Sequence, residues 1–268
     1  MKESKTLVRD LPDYLFKEIN AFTSDSTVAL YGYSDSNKPI KGLISSGSLV
    51  TINSIYGILT AKHVWTEFRR RGAKKIAFVI LGYNHFISER LDYLKVRMPE
   101  NEVDICFIEI PPPLLGMMTA NRTFFPIDKN NMPNINLVKD FLWITVGFPA
   151  EIQPTEQKIT KIYRYYTHVS DYRKISESWD IIELDVDGND PTVDLPKSFG
   201  GMSGGGIWNF NVFYKYELGI QKFYITNNPK NSLLVGVNYY ETILADGVRK
   251  ISGVGPISIY VGMTELVK

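Results

Sequence analysis

Cysteine is nearly absent from this chain, histidine is scarce and net charge is almost nil. Cys106 is the one cysteine in 268 residues. No internal disulfide can form, which fits a reducing compartment. The formal net charge of +1 gives no reason to expect nucleic-acid binding or steering to a membrane surface. No apolar run approaches the length of a membrane span. The charged start Met1-Lys2-Glu3-Ser4-Lys5 leads into no apolar signal-peptide core. These absences lead us to expect a soluble, cytoplasmic protein. His63, His85 and His168 are the whole histidine complement. They are too scattered for a zinc cluster, so no metal or cofactor is expected. No glycine precedes a Lys-Ser/Thr pair, which excludes a Walker loop. The one glycine-rich stretch fits no G-x-G-x-x-G register.

What is present is 44% hydrophobic and 22% charged, an ordinary composition for a packed core. Leu7, Leu11, Leu15, Ile19 and Phe22 recur every three or four residues behind Asp10 and Pro12. That spacing predicts an amphipathic N-terminal helix. From residue 27 the period changes to short β-rich runs at 27–33, 43–52, 56–60, 75–82, 93–98 and 104–110. Pro111-Pro112-Pro113 stops the series, and residues 111–139 read as a long connection. A second set follows at 141–148, 160–169, 179–186, 205–208, 218–226, 233–240 and 257–262, with a helix expected at 241–250. Many short strands at near-regular spacing argue for an all-β fold. The natural division is an N-terminal helix (1–26), a first β-barrel (27–125) and a second (126–268).

The chain is organised around Ser198-Phe199-Gly200-Gly201-Met202-Ser203-Gly204-Gly205-Gly206-Ile207-Trp208. One serine lies among glycines, which accept φ > 0 and let other backbone come close. A hydroxyl on so tight a turn is exposed, with neighbouring N–H groups able to converge on one spot. Acyl transfer needs such a nucleophile and such donors; a plain glycine-rich turn needs neither. Gly201-Met202-Ser203-Gly204-Gly205 also fits the nucleophile elbow G-x-S-x-G, but that fold places its histidine after its serine. No histidine follows Ser203, so any imidazole base comes from upstream.

His63 ends an apolar run, Gly57-Ile58-Leu59-Thr60-Ala61-Lys62-His63, where a side chain leaves a sheet at its rim. His85 falls in a turn pattern, and His168 falls mid-strand among tyrosines. An activating imidazole also needs an orienting carboxylate. Asp104 opens the apolar strand Ile105-Cys106-Phe107-Ile108 and suits that task. The order His63, Asp104, Ser203 is that of the chymotrypsin-type double barrel.

Longer segments resemble the trypsin-like serine peptidases, in particular bacterial, disulfide-free ones. Thr60-Ala61-Lys62-His63-Val64 is similar to their Thr-Ala-x-His. Ser46-Gly47-Ser48-Leu49-Val50 is similar to their Gly-Ser-Gly-hydrophobic strand, with Ser46 in place of the first glycine. Asp104-Ile105-Cys106-Phe107-Ile108 resembles Asp-Ile-Ala-Leu, and Gly201-Met202-Ser203-Gly204-Gly205 resembles Gly-Asp-Ser-Gly-Gly. Val235-Gly236-Val237-Asn238 looks like the strand lining the primary specificity pocket.

The resemblance implies two six-stranded antiparallel barrels. It makes Ser203 the nucleophile, His63 the base and then acid, and Asp104 the orienter. It places the oxyanion hole at the N–H groups of Gly201, Met202 and Ser203. Substrate would meet Lys197, Val237, Asn238 and Tyr239, and Lys197 near the pocket base would favour an acidic P1 side chain. Met202 stands where many relatives carry an aspartate that pairs with a newly cut N-terminus. The implied activity is endopeptidase cleavage of a protein or peptide substrate. The alternatives are an impaired fold kept as a peptide-binding or regulatory module, and an esterase with the same triad. A narrowly specific peptidase inside a cell needs restraint, which points to a regulatory partner protein.

Overall fold

Alternation along each strand decides where its side chains go. The computed structural model describes residues 12–79, 86–120, 122–134, 142–152, 162–167, 169–186, 195–217, 220–225, 232–243 and 249–268. The chain is mostly β, with two large sheets and an N-terminal helix, α1 (Asp13–Asp25).

The first sheet holds β1 (Thr27–Tyr33), β2 (Pro39–Ile52), β3 (Ile55–Thr60), β4 (Lys75–Val79), β5 (Phe86–Arg90), β6 (Val96–Arg97), β7 (Cys106–Glu109) and β8 (Phe125–Ile127). Its antiparallel order is β5-β4-β1-β2-β3-β7-β6, and β8 pairs with β2 in parallel. The second sheet holds β9 (Leu142–Gly147), β10 (Tyr163–Thr167), β11 (Val169–Lys174), β12 (Asp180–Val186) and β13 (Gly206–Phe210). After a separate hairpin, β14 (Val212–Glu217) and β15 (Ile220–Ile225), it is completed by β16 (Ser232–Ile243) and β17 (Arg249–Val254). Its order is β10-β9-β13-β16-β17-β12-β11, antiparallel throughout. The expected six-plus-six count therefore gives way, among the described residues, to eight strands, seven strands and a hairpin.

Neighbouring residues of one strand enter different cores. Leu49, Ile58, Cys106 and Ile108 pack with Leu30, Phe68 and Phe78 of the first sheet's own cluster. The residues beside them in sequence, Val50, Leu59 and Phe107, meet Ile144, Val146, Trp208 and Leu234 of the second sheet. Trp143, Ile207, Leu233 and Val235 fill the second sheet's own cluster. Each sheet thus has a core, and the two share a third between them. α1 belongs to the shared core: Leu15 and Ile19 are fully buried there. Phe22 stands edge-on to Trp208 at 5.4 Å and to Phe210 at 5.7 Å. Arg164 of β10 donates to the Thr23 hydroxyl at 2.8 Å and the Asn20 carbonyl at 2.9 Å, at the helix end where a cation is favoured.

Three expectations change. The 111–139 connection contains a helix, α3 (Pro112–Thr119), and β8. Residues 241–243 and 249–250 are strand rather than helix, with Thr242 opposite Lys250 and Ile243 opposite Arg249. Residues 258–262, expected as strand, belong to a helical segment running from Ser258 to Met263 and on through Thr264–Leu266. Buried Asp180 explains that last change. Its carboxylate accepts from the Ser258 N–H and hydroxyl, both at 2.8 Å, and from the Ile257 N–H at 3.0 Å, satisfying the first donors of a helix. Helix residues 7–11 of the original expectation lie outside the described residues. No described helix is long and apolar enough to cross a membrane.

Candidate active site

β3 ends at Thr60 and the chain enters a second helix, α2 (Lys62–Arg70), preceded by Ala61, which offers no capping side chain. The first N–H groups of a helix have no partner within it. Asp104 supplies one from 41 residues away: its Oδ1 accepts the His63 backbone N–H at 2.8 Å. Its Oδ2 lies 2.6 Å from His63 Nδ1. One carboxylate therefore grips a single residue at backbone and ring, at the helix end that favours negative charge. Lys62 fastens the loop that delivers Asp104, donating to the carbonyls of Pro99 at 2.8 Å and Asn101 at 2.9 Å. The His63 side chain is 48% exposed and that of Asp104 23%, so the ring is the more open of the two and the carboxylate sits behind it. With Nδ1 on Asp104, Nε2 has no partner among the described residues.

Ser203 lies on a loop that glycines make possible. The Met202 N–H donates to the Phe199 carbonyl at 2.9 Å, closing a turn whose third residue, Gly201, has φ +92°. That is the type II position that requires glycine. A Cβ on Gly201 would lie 2.6 Å from the Phe148 oxygen and 2.7 Å from the Ala150 nitrogen. Gly204 has φ +88°, and a Cβ there would meet the Thr60 hydroxyl at 2.0 Å and the Ser46 carbonyl at 2.1 Å.

The loop's N–H groups divide cleanly. That of Gly200 goes to the Ser198 hydroxyl, that of Met202 to Phe199, that of Gly204 to Asn238 and that of Gly205 to Met202. Those of Gly201 and Ser203 have no partner among the described residues. The Ala150 N–H holds the Gly200 carbonyl at 2.7 Å. The peptide is planar and trans, so the Gly201 N–H points away from Ala150. Two of the three expected hole donors are therefore free, and the third, Met202, is not. The Met202 side chain is buried with Phe199 and Tyr165 in the second sheet's core.

His63, Asp104 and Ser203 line one cleft of about 710 Å³, together with Glu102, Asn238, Tyr239, Tyr240 and Glu241. The Ser203 hydroxyl donates to the Tyr239 carbonyl at 3.4 Å rather than to the imidazole. Of the expected substrate contacts, Asn238 and Tyr239 line the cleft. Val237 is fully buried in the shared core. Lys197 is exposed and is not among the lining residues. His85 and His168 lie outside the described residues.

Sequence reasoning missed Glu241 and Arg249. Glu241 accepts the Phe199 N–H at 2.9 Å and the Ser198 hydroxyl at 3.4 Å. Arg249 donates from Nε to Glu241 at 2.7 Å and from Nη1 to the Pro196 carbonyl at 2.7 Å. Its guanidinium sits 4.5 Å from the centre of the Phe199 ring. The pair spans β16 and β17, so reading 241–250 as helix concealed it. Among the described residues no three His, Cys, Asp or Glu side chains cluster as metal ligands would. The sequence matches no protein-family model and no curated protein.

Proposed function

We propose that the chain is a serine endopeptidase of the trypsin-like type, built on two β-barrels and cleaving a protein substrate through an acyl-enzyme. The observation that carries this reading is the Asp104–His63 pair on the same cleft as Ser203, beside two backbone donors with no partner among the described residues. His63 Nε2 takes the Ser203 proton as Oγ attacks the scissile carbonyl. The Gly201 and Ser203 N–H groups receive the oxygen as it becomes negative; one such donor contributes about 3–4 kcal/mol to the transition state. His63 then protonates the leaving amine, and water releases the acyl group by the same steps reversed. Asp104 holds the Nδ1–H tautomer before the attack and stabilises the imidazolium that forms. The hydroxyl must first leave Tyr239 by turning about χ1, and a bond of 3.4 Å is weak enough to give up.

Lining beyond these groups includes Phe199, Asn238, Tyr239 and Ile251, with Glu241 neutralised by Arg249. That suits an uncharged P1 side chain better than the acidic one Lys197 would favour. The reading carries with it a cytoplasmic location and restraint by a regulatory partner.

The Ser203–Tyr239 contact also favours a second reading, an impaired fold that binds peptides. Profiling new peptide N-termini in a lysate treated with the wild type or with Ser203→Ala separates the two. The peptidase reading expects a small set of cleavages from the wild type alone. Identical profiles would sink it, and cleavage of short esters without any peptide would replace it with an esterase.

A further inference from the structure

The Ser203 loop is fastened to the first sheet as well as to its own. Ser46 of β2 is fully buried, and its hydroxyl donates to the Gly201 carbonyl at 2.8 Å. The same oxygen accepts the Phe148 N–H at 2.8 Å. The Ser46 N–H donates to the Ser203 carbonyl at 3.0 Å, which also receives the Ser45 hydroxyl at 2.5 Å. The Ser46 carbonyl in turn accepts the Thr60 hydroxyl at 2.8 Å, three residues before His63. The hydroxyl is enclosed: a Cβ on Gly147 would stand 2.9 Å from it.

These bonds fix the peptides that matter. Ala150 pins the peptide entering Gly201 through the Gly200 carbonyl, and Ser46 pins the one leaving it through the Gly201 carbonyl. Glycine tolerates a peptide flip that other residues resist. The Ala150 bond resists the flip that would turn the Gly201 N–H out of the hole, and the Ser46 bond fixes the next peptide, the one that carries the chain from Gly201 toward Ser203. A hydroxyl has one proton to donate, and Ser46 commits it to this carbonyl.

We propose that Ser46 is the positioning residue of the oxyanion hole, its hydroxyl holding Gly201 so that the N–H groups of Gly201 and Ser203 converge. The proposal rests on the peptidase reading. One end of the pin lies in β2 and the other on the Ser203 loop, so the hole is set without a charged anchor at position 202, where a buried methionine stands. Ser46→Ala keeps the Cβ and removes the hydroxyl, which is both the pin on Gly201 and the acceptor for Phe148. Phe148 and Gly201 then lose a partner and the loop can relax.

The test follows the second-order rate of labelling by a fluorophosphonate across pH, with a thermal melt of each protein. Ser46→Ala is expected to label at least about tenfold more slowly, a fraction of the loss of a whole hole donor. Its pH profile should keep the wild-type midpoint, because His63 and Asp104 are untouched. Ser46→Cys, with a weaker donor of similar size, should fall between the two. Equal rates for wild type and Ser46→Ala would overturn the proposal whatever the melt shows, since a purely structural serine would change the melt alone. Should Ser46→Ala not fold, Ser46→Cys is compared with the wild type directly and is expected to label about threefold more slowly, a fraction of one hydrogen bond's worth; an equal rate would overturn the proposal. A wild type that never labels would fail the peptidase reading itself, a result distinct from equal rates.

Discussion

Asp104 holds His63 by two atoms, and the two bonds predict separate losses. The Oδ2 bond to Nδ1 sets the tautomer; the Oδ1 bond to the backbone N–H caps α2. Asn offers an acceptor to one of them and an N–H₂ to the other. Asp104→Asn is therefore expected to lower the fluorophosphonate labelling rate by roughly 10³–10⁴-fold. Loss of the cap costs about 1 kcal/mol in a chemical melt. A near-normal rate with a lowered melt would leave Asp104 a cap and nothing more. The three side chains of the site were legible in the sequence because each sits in a short local pattern: a strand end, a strand start and a glycine turn. The Ser46 pin was not, because its partner lies 155 residues away. Which backbone N–H groups remain unpartnered was hidden too, since pattern reading carries no account of the Phe199–Met202 turn.

Among the elements, α1 plugs the core that the two sheets share. Ile19→Ala removes a fully buried side chain and is expected to cost about 2–4 kcal/mol, the range for truncating a packed aliphatic group. Equilibrium unfolding would measure it, and a loss under 1 kcal/mol would mean that α1 contributes little to the shared core. Its apolar spacing announced this helix. Two other segments misled for a physical reason. Residues 257–262 carry the β-branched and aromatic Ile257, Ile259, Tyr260 and Val261, yet Asp180 reaches their first N–H groups and tertiary capping overrides the propensity. Helix α2 was missed because its buried face, Val64, Trp65 and Phe68, spans little more than one turn. Residues 241–250 read as helical, but Glu241 and Arg249 hold each other across a strand pair instead.

For the whole molecule, the mostly β character and its two sets of strands were visible as short β-rich runs with breaks between them, because glycine, proline and asparagine interrupt the runs where strands end. The shared core was not visible, since nothing local says that Val50 and Val146 belong together. Burial across the three cores has a consequence at high pH. Burial raises the Cys106 thiol and the Tyr260 phenol, both in fully buried settings, and pushes Tyr166 up to about 12. Tyr172 and Tyr239 are raised as well, again by burial first. The unfolded chain releases these protons from about pH 9–10 upward while the native chain keeps them. Stability is then fully present below that range and falls as pH rises through it, by about 1.4 kcal/mol per pH unit for each fully buried group. Denaturant melts at pH 8, 9, 10 and 11 should show this decline; a flat series would contradict the burial assigned to these groups.

The central claim is that Ser203 is a nucleophile driven by His63 and held to its task by Asp104. Its most direct measurement is the site of fluorophosphonate attachment, read by peptide mass spectrometry on the wild type, His63→Ala and Ser203→Ala. The account predicts one adduct, on the peptide containing Ser203, absent from both variants. An adduct on another residue, or labelling of Ser203 that persists in His63→Ala, would contradict it.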